Sequence, residues 1–180
     1  MRYIFLAIAA LGGLIWWMLN GEARNVDEIL SHHAVDDLSE LLARTSEDVD
    51  AQIDPDVSSD GNGSLRIEAS APVLLDLYEV WGEGIDLGFR QLVYQARLRT
   101  EDASGPVFLV MQAGVTGAPE GQMPVIGSEG AIEGTHEWTT LEIVAGNPAG
   151  TKHLTTKLQL QVGPGTVWID DIKLIRRQKV

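Results

Sequence analysis

The chain has 180 residues, no cysteine and a formal net charge of −13, and 44% of its residues are hydrophobic. That hydrophobic share supports a packed core, and the missing cysteine excludes disulfides, thiolate zinc sites and cysteine nucleophiles. The acidity is uneven: residues 22–60 carry twelve acids and two bases, residues 61–180 fourteen acids and ten bases. A surface of this sign argues against nucleic acid and anionic lipid as partners, because both need clustered Lys and Arg.

Tyr3 to Leu19 runs seventeen residues without a charge, behind Arg2. At 1.5 Å per residue a helix of that length spans roughly 25 Å, enough for a bilayer core. Trp16 and Trp17 stand at its end, where aromatic rings favour the membrane interface. Arg2 precedes the span and Glu22, Asp27 and Glu28 follow it, which places the N-terminus inside and the bulk outside. The expectation is a transmembrane signal-anchor over residues 1–21, single-pass in a bacterial-type inner membrane, with a periplasmic or extracellular domain beyond it. Gly21-Glu22-Ala23 also offers the small residues that a signal peptidase reads, so cleavage after Ala23 is the alternative.

Residues 22–45 read as an acidic helical spacer. Val26, Ile29, Leu30, Val35, Leu38, Leu41 and Leu42 recur at steps dominated by three and four, which predicts a short amphipathic helix. It would pack on the following domain or pair with a partner helix. His32 and His33 are adjacent, lack helical metal-ligand spacing and read as a solvated pair. The surrounding acids read as solvated and mutually repelling.

From residue 46 to 180 the period becomes two. Leu65, Ile67 and Ala69 alternate with polar neighbours, as do Leu92, Tyr94, Ala96 and Leu98, and Leu158, Leu160 and Val162. Such alternation predicts strands with one buried and one wet face. Further strands are expected at 73–80, 107–112, 139–144 and 167–174. Turn signals separate them at Gly61-Asn62-Gly63, Gly82-Glu83-Gly84, Ser104-Gly105-Pro106, Gly146-Asn147-Pro148 and Gly163-Pro164-Gly165. The long Gly- and Pro-rich stretch 114–130 reads as a loop. The fold class is all-β: a jelly-roll β-sandwich preceded by a transmembrane helix and a short amphipathic helix.

Four segments carry a resemblance. Ser59-Asp60-Gly61-Asn62-Gly63-Ser64-Leu65-Arg66-Ile67, Tyr94-Gln95-Ala96-Arg97-Leu98-Arg99, Trp138-Thr139-Thr140-Leu141 and Val167-Trp168-Ile169-Asp170-Asp171-Ile172-Lys173-Leu174 follow one another along the domain. Together they resemble carbohydrate-binding modules of the galactose-binding-like jelly-roll superfamily over roughly residues 46–180. The resemblance implies a sandwich scaffold and glycan as partner. It also implies a structural Ca²⁺ held by a closing-strand Asp and by oxygens of the loop before the opening strand. That loop holds Asp54, Asp56 and Asp60, and the expected metal residues are Asp60 and Asp171. The other reading satisfies Asp171 with backbone N–H groups or an Arg. Continuing the alternation from Val167 and Ile169 buries Asp171, but Ile172 and Leu174 then need a register shift, which predicts a bulge at the pair.

Sugar faces use aromatic platforms. Trp168 points outward if Val167 and Ile169 point inward, Trp81 sits in a Gly-rich turn, and Tyr78 lies near it. Arg97 and Arg99 share one face, with Arg66 near, and suit an acidic sugar or a partner carboxylate; the other reading pairs them with local acids. The expected ligand contacts are Tyr78, Trp81, Arg97 and Trp168. Tyr94 and Phe108 fall in core patterns, and Trp138 matches a scaffold position. No catalytic residue is expected: Asp170 and Asp171 are too close along one strand to straddle a substrate, and no Ser nucleophile motif, phosphate loop or HExxH occurs. The functional expectation is a membrane-anchored, non-enzymatic binding module for glycan or another envelope component. The alternative is an assembly subunit of an envelope complex, docking through its anchor and spacer helix.

Overall fold

Alternating apolar residues in this chain form strands in two stacked layers. The computed structural model describes residues 25–35, 49–86, 90–115, 123–146 and 153–179. Among them are nine strands: β1 (Asn25–His33), β2 (Val49–Asp54), β3 (Ser64–Ala69), β4 (Val73–Asp86), β5 (Gln91–Val115), β6 (Val125–Gly127), β7 (Ile132–Ala145), β8 (His153–Val162) and β9 (Gly165–Lys179). All pairings are antiparallel. The first layer runs β2-β3-β9-β5-β7, with β1 added along β9 beyond the end of β3. The second runs β4-β8-β5-β6.

β5 belongs to both layers. Residues 91–101 pair with β9, and residues 108–115 pair with β8. Between them the strand bends, with Asp102 at φ 52°. Ser104 N–H donates to the Pro164 carbonyl at 2.7 Å, pinning the bend to the β8–β9 turn. The approach is so close that a Cβ on Gly163 would lie 2.6 Å from the Gly105 carbonyl carbon. Ser104-Gly105-Pro106, expected to separate two strands, therefore bends one strand across the sandwich. Likewise Gly82-Glu83-Gly84 does not end a strand: β4 runs on to Asp86, with a register slip between Val80 and Ile85. The stretch 114–130 contributes the short strand β6.

The core lies between the layers. Leu65, Ile67, Leu98, Ile143, Ile169 and Ile172 meet Leu77, Leu109, Met111, Leu158 and Leu160 there. Tyr94 is buried among them, and its hydroxyl donates to the Gln159 carbonyl of the opposite layer at 3.3 Å. Burial pushes the Tyr94 phenol well above its ordinary range, so it remains a donor at any working pH.

The amphipathic helix expected over residues 22–45 is not what forms at its start. Asn25–His33 is β1, paired with Ile172–Lys179. The pairing slips between Ile29 and Ser31, so a bulge breaks the two-residue period and leaves a spacing that mimics a helix. It turns Ile29 outward while Leu30 packs on the core. The local acids are matched rather than merely solvated. Arg176 forks onto Glu28 at 2.6–2.9 Å, and Arg177 onto Asp27 at 2.8 and 2.9 Å. A nine-residue helix is marginal in water, whereas an open edge of β9 offers every backbone group a partner. The adjacent histidines are engaged as well. His32 Nε2 lies 2.7 Å from Asp171 Oδ1, and the His33 ring stacks on Tyr78 with centroids 3.6 Å apart. Residues 36–48 and the expected anchor over 1–21 lie outside the described residues. Among the described residues no helix is long and apolar enough to cross a membrane.

Candidate functional site

The outward face of the first layer carries two of the four expected contacts. Trp168 does alternate outward, between core residues Val167 and Ile169. It is nevertheless only 4% exposed. Its cross-strand neighbours are Arg66 on β3 and Arg99 on β5, and their guanidinium carbons sit 5.8 and 5.0 Å from the ring centroid. Its indole N–H donates to Asp54 Oδ2 at 2.9 Å. A ring covered by two cations and tied by its only donor is not a sugar platform. Arg97 Nη1 donates to the Ser59 carbonyl at 3.0 Å, and its guanidinium carbon stands 6.0 Å from the Trp138 ring. Trp138, expected in the core, is half-buried on this outer face. Arg66 is paired with Glu68, Lys173 with Asp171 at 2.6 Å, and Arg177 with Glu142 at 2.7 Å. Most polar groups of this face satisfy one another.

Tyr78 is 6% exposed and belongs to the core cluster. A register slip between Asp76 and Tyr78 turns it inward against His33. It cannot serve as a platform. Trp81 lies in β4 rather than in a turn, and its side chain is outside the described residues.

The bulge expected at the aspartate pair is present. Between Gln95↔Lys173 and Arg97↔Asp170, β5 passes one residue and β9 two, and Asp171 takes φ 51°. The roles within the pair are reversed, however. Asp170 is the fully buried carboxylate, at 0% exposure, while Asp171 is half-buried. The carboxylates meet donors rather than one another. Asp170 accepts from Ser59 N–H at 2.8 Å and Asp171 N–H at 2.7 Å. Asp171 is taken by His32 and Lys173. Asp60 is exposed and accepts from the Ser58 hydroxyl and Asn62 N–H. Asp54 accepts from Trp168 and from Asp56 N–H and Val57 N–H. Ca²⁺ takes six to eight oxygens. The spare buried oxygen here is Ser59 Oγ, which has no hydrogen-bond partner. Among the described residues no three acidic, His or Cys side chains form a metal-binding group. The residues present do not fit the ion.

The outward face of the second layer is different. β8 alternates Leu158, Leu160 and Val162 into the core, so Lys157, Gln159 and Gln161 face away from it. Yet Lys157 is 7% and Gln159 4% exposed. Beside them on β4 stand Asp76 and Glu79, and on β5 Phe108, Val110 and Gln112. Lys157 Nζ lies 3.0 Å from Glu79 Oε1. Gln159 Nε2 donates to Asp76 Oδ1. That contact fixes the amide orientation, because the carboxylate demands the NH₂ end. Gln159 Oε1 is then left buried with no hydrogen-bond partner. Gln161 Nε2 donates to the Val73 carbonyl at 3.0 Å. Phe108, expected in the core, is half-buried on this outer face, packed over Gly127. The result is a paired row of acid, amide and amine beside an aromatic ring. None of these polar residues was anticipated as a contact. Their signal was Lys157-x-Gln159-x-Gln161, an alternation that reads equally well as an ordinary wet face.

No protein-family model matches the chain, and no curated protein does. Solved structures with the same fold do exist. The CBM22-1 xylan-binding domain from Paenibacillus barcinonensis Xyn10C superposes with a TM-score of 0.56 at 16% identity, over 88% of this chain and 99% of that one. The C-terminal family 22 carbohydrate-binding module of Clostridium thermocellum Xyn10B gives 0.55 at 9% identity, over 84% and 96%. A further xylan-binding domain from CBM 22 gives 0.53 at 9%, over 81% and 93%. At these identities the likeness is one of fold: this chain has the β-sandwich of carbohydrate-binding modules.

Proposed function

We propose that this protein is a non-catalytic glycan-binding module whose contact surface is the outward face of β4, β8 and the 108–115 half of β5. The carrying observation is Gln159 Oε1, a buried acceptor without a partner beside Asp76 and Lys157. Leaving such an atom unpaired costs about 1–3 kcal/mol, and because it is buried a sugar hydroxyl reaches it only when the side chains of the row shift aside. Vicinal sugar hydroxyls donate and accept at once, which suits the Asp76–Gln159 and Glu79–Lys157 row. Phe108, with the exposed Leu74 and Val125, offers apolar surface for sugar C–H faces. The xylan-binding domains that share the fold make a β-linked xylan-type glycan the first ligand to test.

Membrane tethering belongs to the same proposal and rests on the Tyr3–Leu19 run. β1 begins within a few residues of that run, so the sandwich would sit close to the bilayer rather than on a long leash. The assembly-subunit alternative drew on the Val26–Leu42 stripe as a partner-helix face. Its first part is a strand of this sandwich, which removes that support over residues 25–33.

The test is isothermal titration of the protein, in detergent, against a panel of soluble neutral β-glycans including xylan oligomers. Binding to at least one, weakened tenfold or more by Gln159→Ala, is expected. A panel that stays silent at millimolar sugar refutes the reading.

A further inference from the structure

The opening loop and the closing strand of this sandwich must be joined across Asp170, a carboxylate with no solvent contact. Burying an ionised carboxylate is costly unless donors surround it. Ser59 N–H and Asp171 N–H supply two. Directly opposite Asp170 on β5 stands Arg97, whose guanidinium donates to the Ser59 carbonyl at 3.0 Å. Arg97 thus grips the same loop residue whose N–H binds Asp170. The loop, the closing strand and β5 meet at Ser59, and the cation that holds the loop to β5 is a side chain of the protein. We propose that Arg97 does here what the resemblance assigned to Ca²⁺: it is the built-in cation that fastens the Ser58–Ser64 loop to β5 opposite Asp170, while Asp170 itself takes the loop's Ser59 N–H, and the fold is independent of calcium.

Three features support this. The carboxylates at 54, 60, 170 and 171 all face N–H or O–H donors or cationic side chains, so a metal entering here would displace bonds already made. The guanidinium occupies the Ser59 carbonyl, the loop oxygen nearest in sequence to the Asp170 contact. A guanidinium also stays charged at any working pH, so the joint needs no free ion in solution.

The test is thermal unfolding of the full-length protein in detergent, with millimolar calcium and with excess EDTA. A ligand bound only by the folded state raises the midpoint as its concentration rises. The proposal expects equal midpoints in the two buffers and no heat on titrating calcium into the protein. Arg97→Gln is expected to lower the midpoint by several degrees in both buffers, and Arg97→Lys, which keeps the charge but loses the fork, by less. A calcium-dependent rise in the wild-type midpoint overturns the proposal. So does an Arg97→Gln protein as stable as wild type. Should Arg97→Gln fail to fold, Arg97→Lys and the wild-type calcium comparison still decide the matter. This inference stands apart from the glycan reading, since neither measurement involves a sugar.

Discussion

The two outward faces of this sandwich are both rich in charge, and they use it in opposite ways. On the first layer, Trp168 lies under Arg66 and Arg99, Asp171 is shared by His32 and Lys173, and Arg177 divides itself between Asp27 and Glu142. On the second, Lys157 and Gln159 are more deeply buried than an ordinary sheet exterior, and their pairing ends with an acceptor left over. The first face pairs most of its charges with one another, though Ser59 Oγ beside it also lacks a hydrogen-bond partner; the second sets its acid, amide and amine row beside the half-buried Phe108. The contacts expected from sequence were divided, with Arg97 and Trp168 on the first layer and Tyr78 and Trp81 on β4 of the second; the proposed surface is the outward face of the second.

The largest effect is expected from removing β1. A chain beginning at residue 46 loses the pairing of Asn25–His33 with β9 and the packing of Leu30 and Val35 on the core. Domains are stable by only about 5–15 kcal/mol, so the loss of a strand should consume much of that margin. Chemical denaturation should show a much lower midpoint than for a chain beginning at residue 24. Equal midpoints would return residues 25–33 to the role of a spacer.

Next is Trp168→Ala, which empties the space beneath two guanidiniums and removes the donor to Asp54 Oδ2. A loss of about 3 kcal/mol is expected, with glycan affinity unchanged. Weakened sugar binding without destabilisation would restore Trp168 as a platform. Gln159→Ala should cost at least about tenfold in affinity, or 1.4 kcal/mol, beside a smaller stability loss from the broken bond to Asp76.

A pH effect follows from Asp54. The Trp168 indole N–H holds its carboxyl below the usual carboxylate range, aided by Asp56 N–H, Val57 N–H and the Arg66 charge, while burial opposes the shift. With the folded value below the unfolded one, near 3.9, the unfolded chain binds more protons in that window. Asp54 therefore contributes stability at neutral pH that is lost as pH falls through its folded value. Trp168→Phe keeps most of the packing but removes the donor, and should flatten the acid limb of the stability profile. A limb of unchanged steepness would show that the bond contributes nothing. The smallest effect is expected at Glu137→Ala, read as the unfolding midpoint: its ion pair with Arg99 spans 3.8 Å at an exposed carboxylate, and pairs of that kind contribute about 0–1 kcal/mol.

The strands that alternate cleanly were legible in sequence because each pattern is local. Leu65 and Ile67, Tyr94 and Leu98, Leu158 and Leu160 each declare a buried face within a few residues. The bulge at Asp170–Asp171 was legible for the same reason, since Ile169 and Ile172 cannot both point inward without one. β1 was not, because its partner lies some 140 residues away and its own bulge disguises the period. Trp168 shows the limit most plainly. Its direction could be read from its neighbours, but its cover comes from residues 66 and 99. The row on β8 failed in the opposite sense: alternation told that Gln159 faces outward, not that it is buried there beside Asp76.

The most direct measurement is a backbone-amide NMR titration of the protein with a xylan oligomer. Shifts are expected to concentrate on β4, β8 and residues 108–115, with β3, β7 and β9 quiet. Shifts centred on Arg66, Arg99 and Trp168 instead would contradict that expectation, and would place the binding surface on the face that its own side chains have closed.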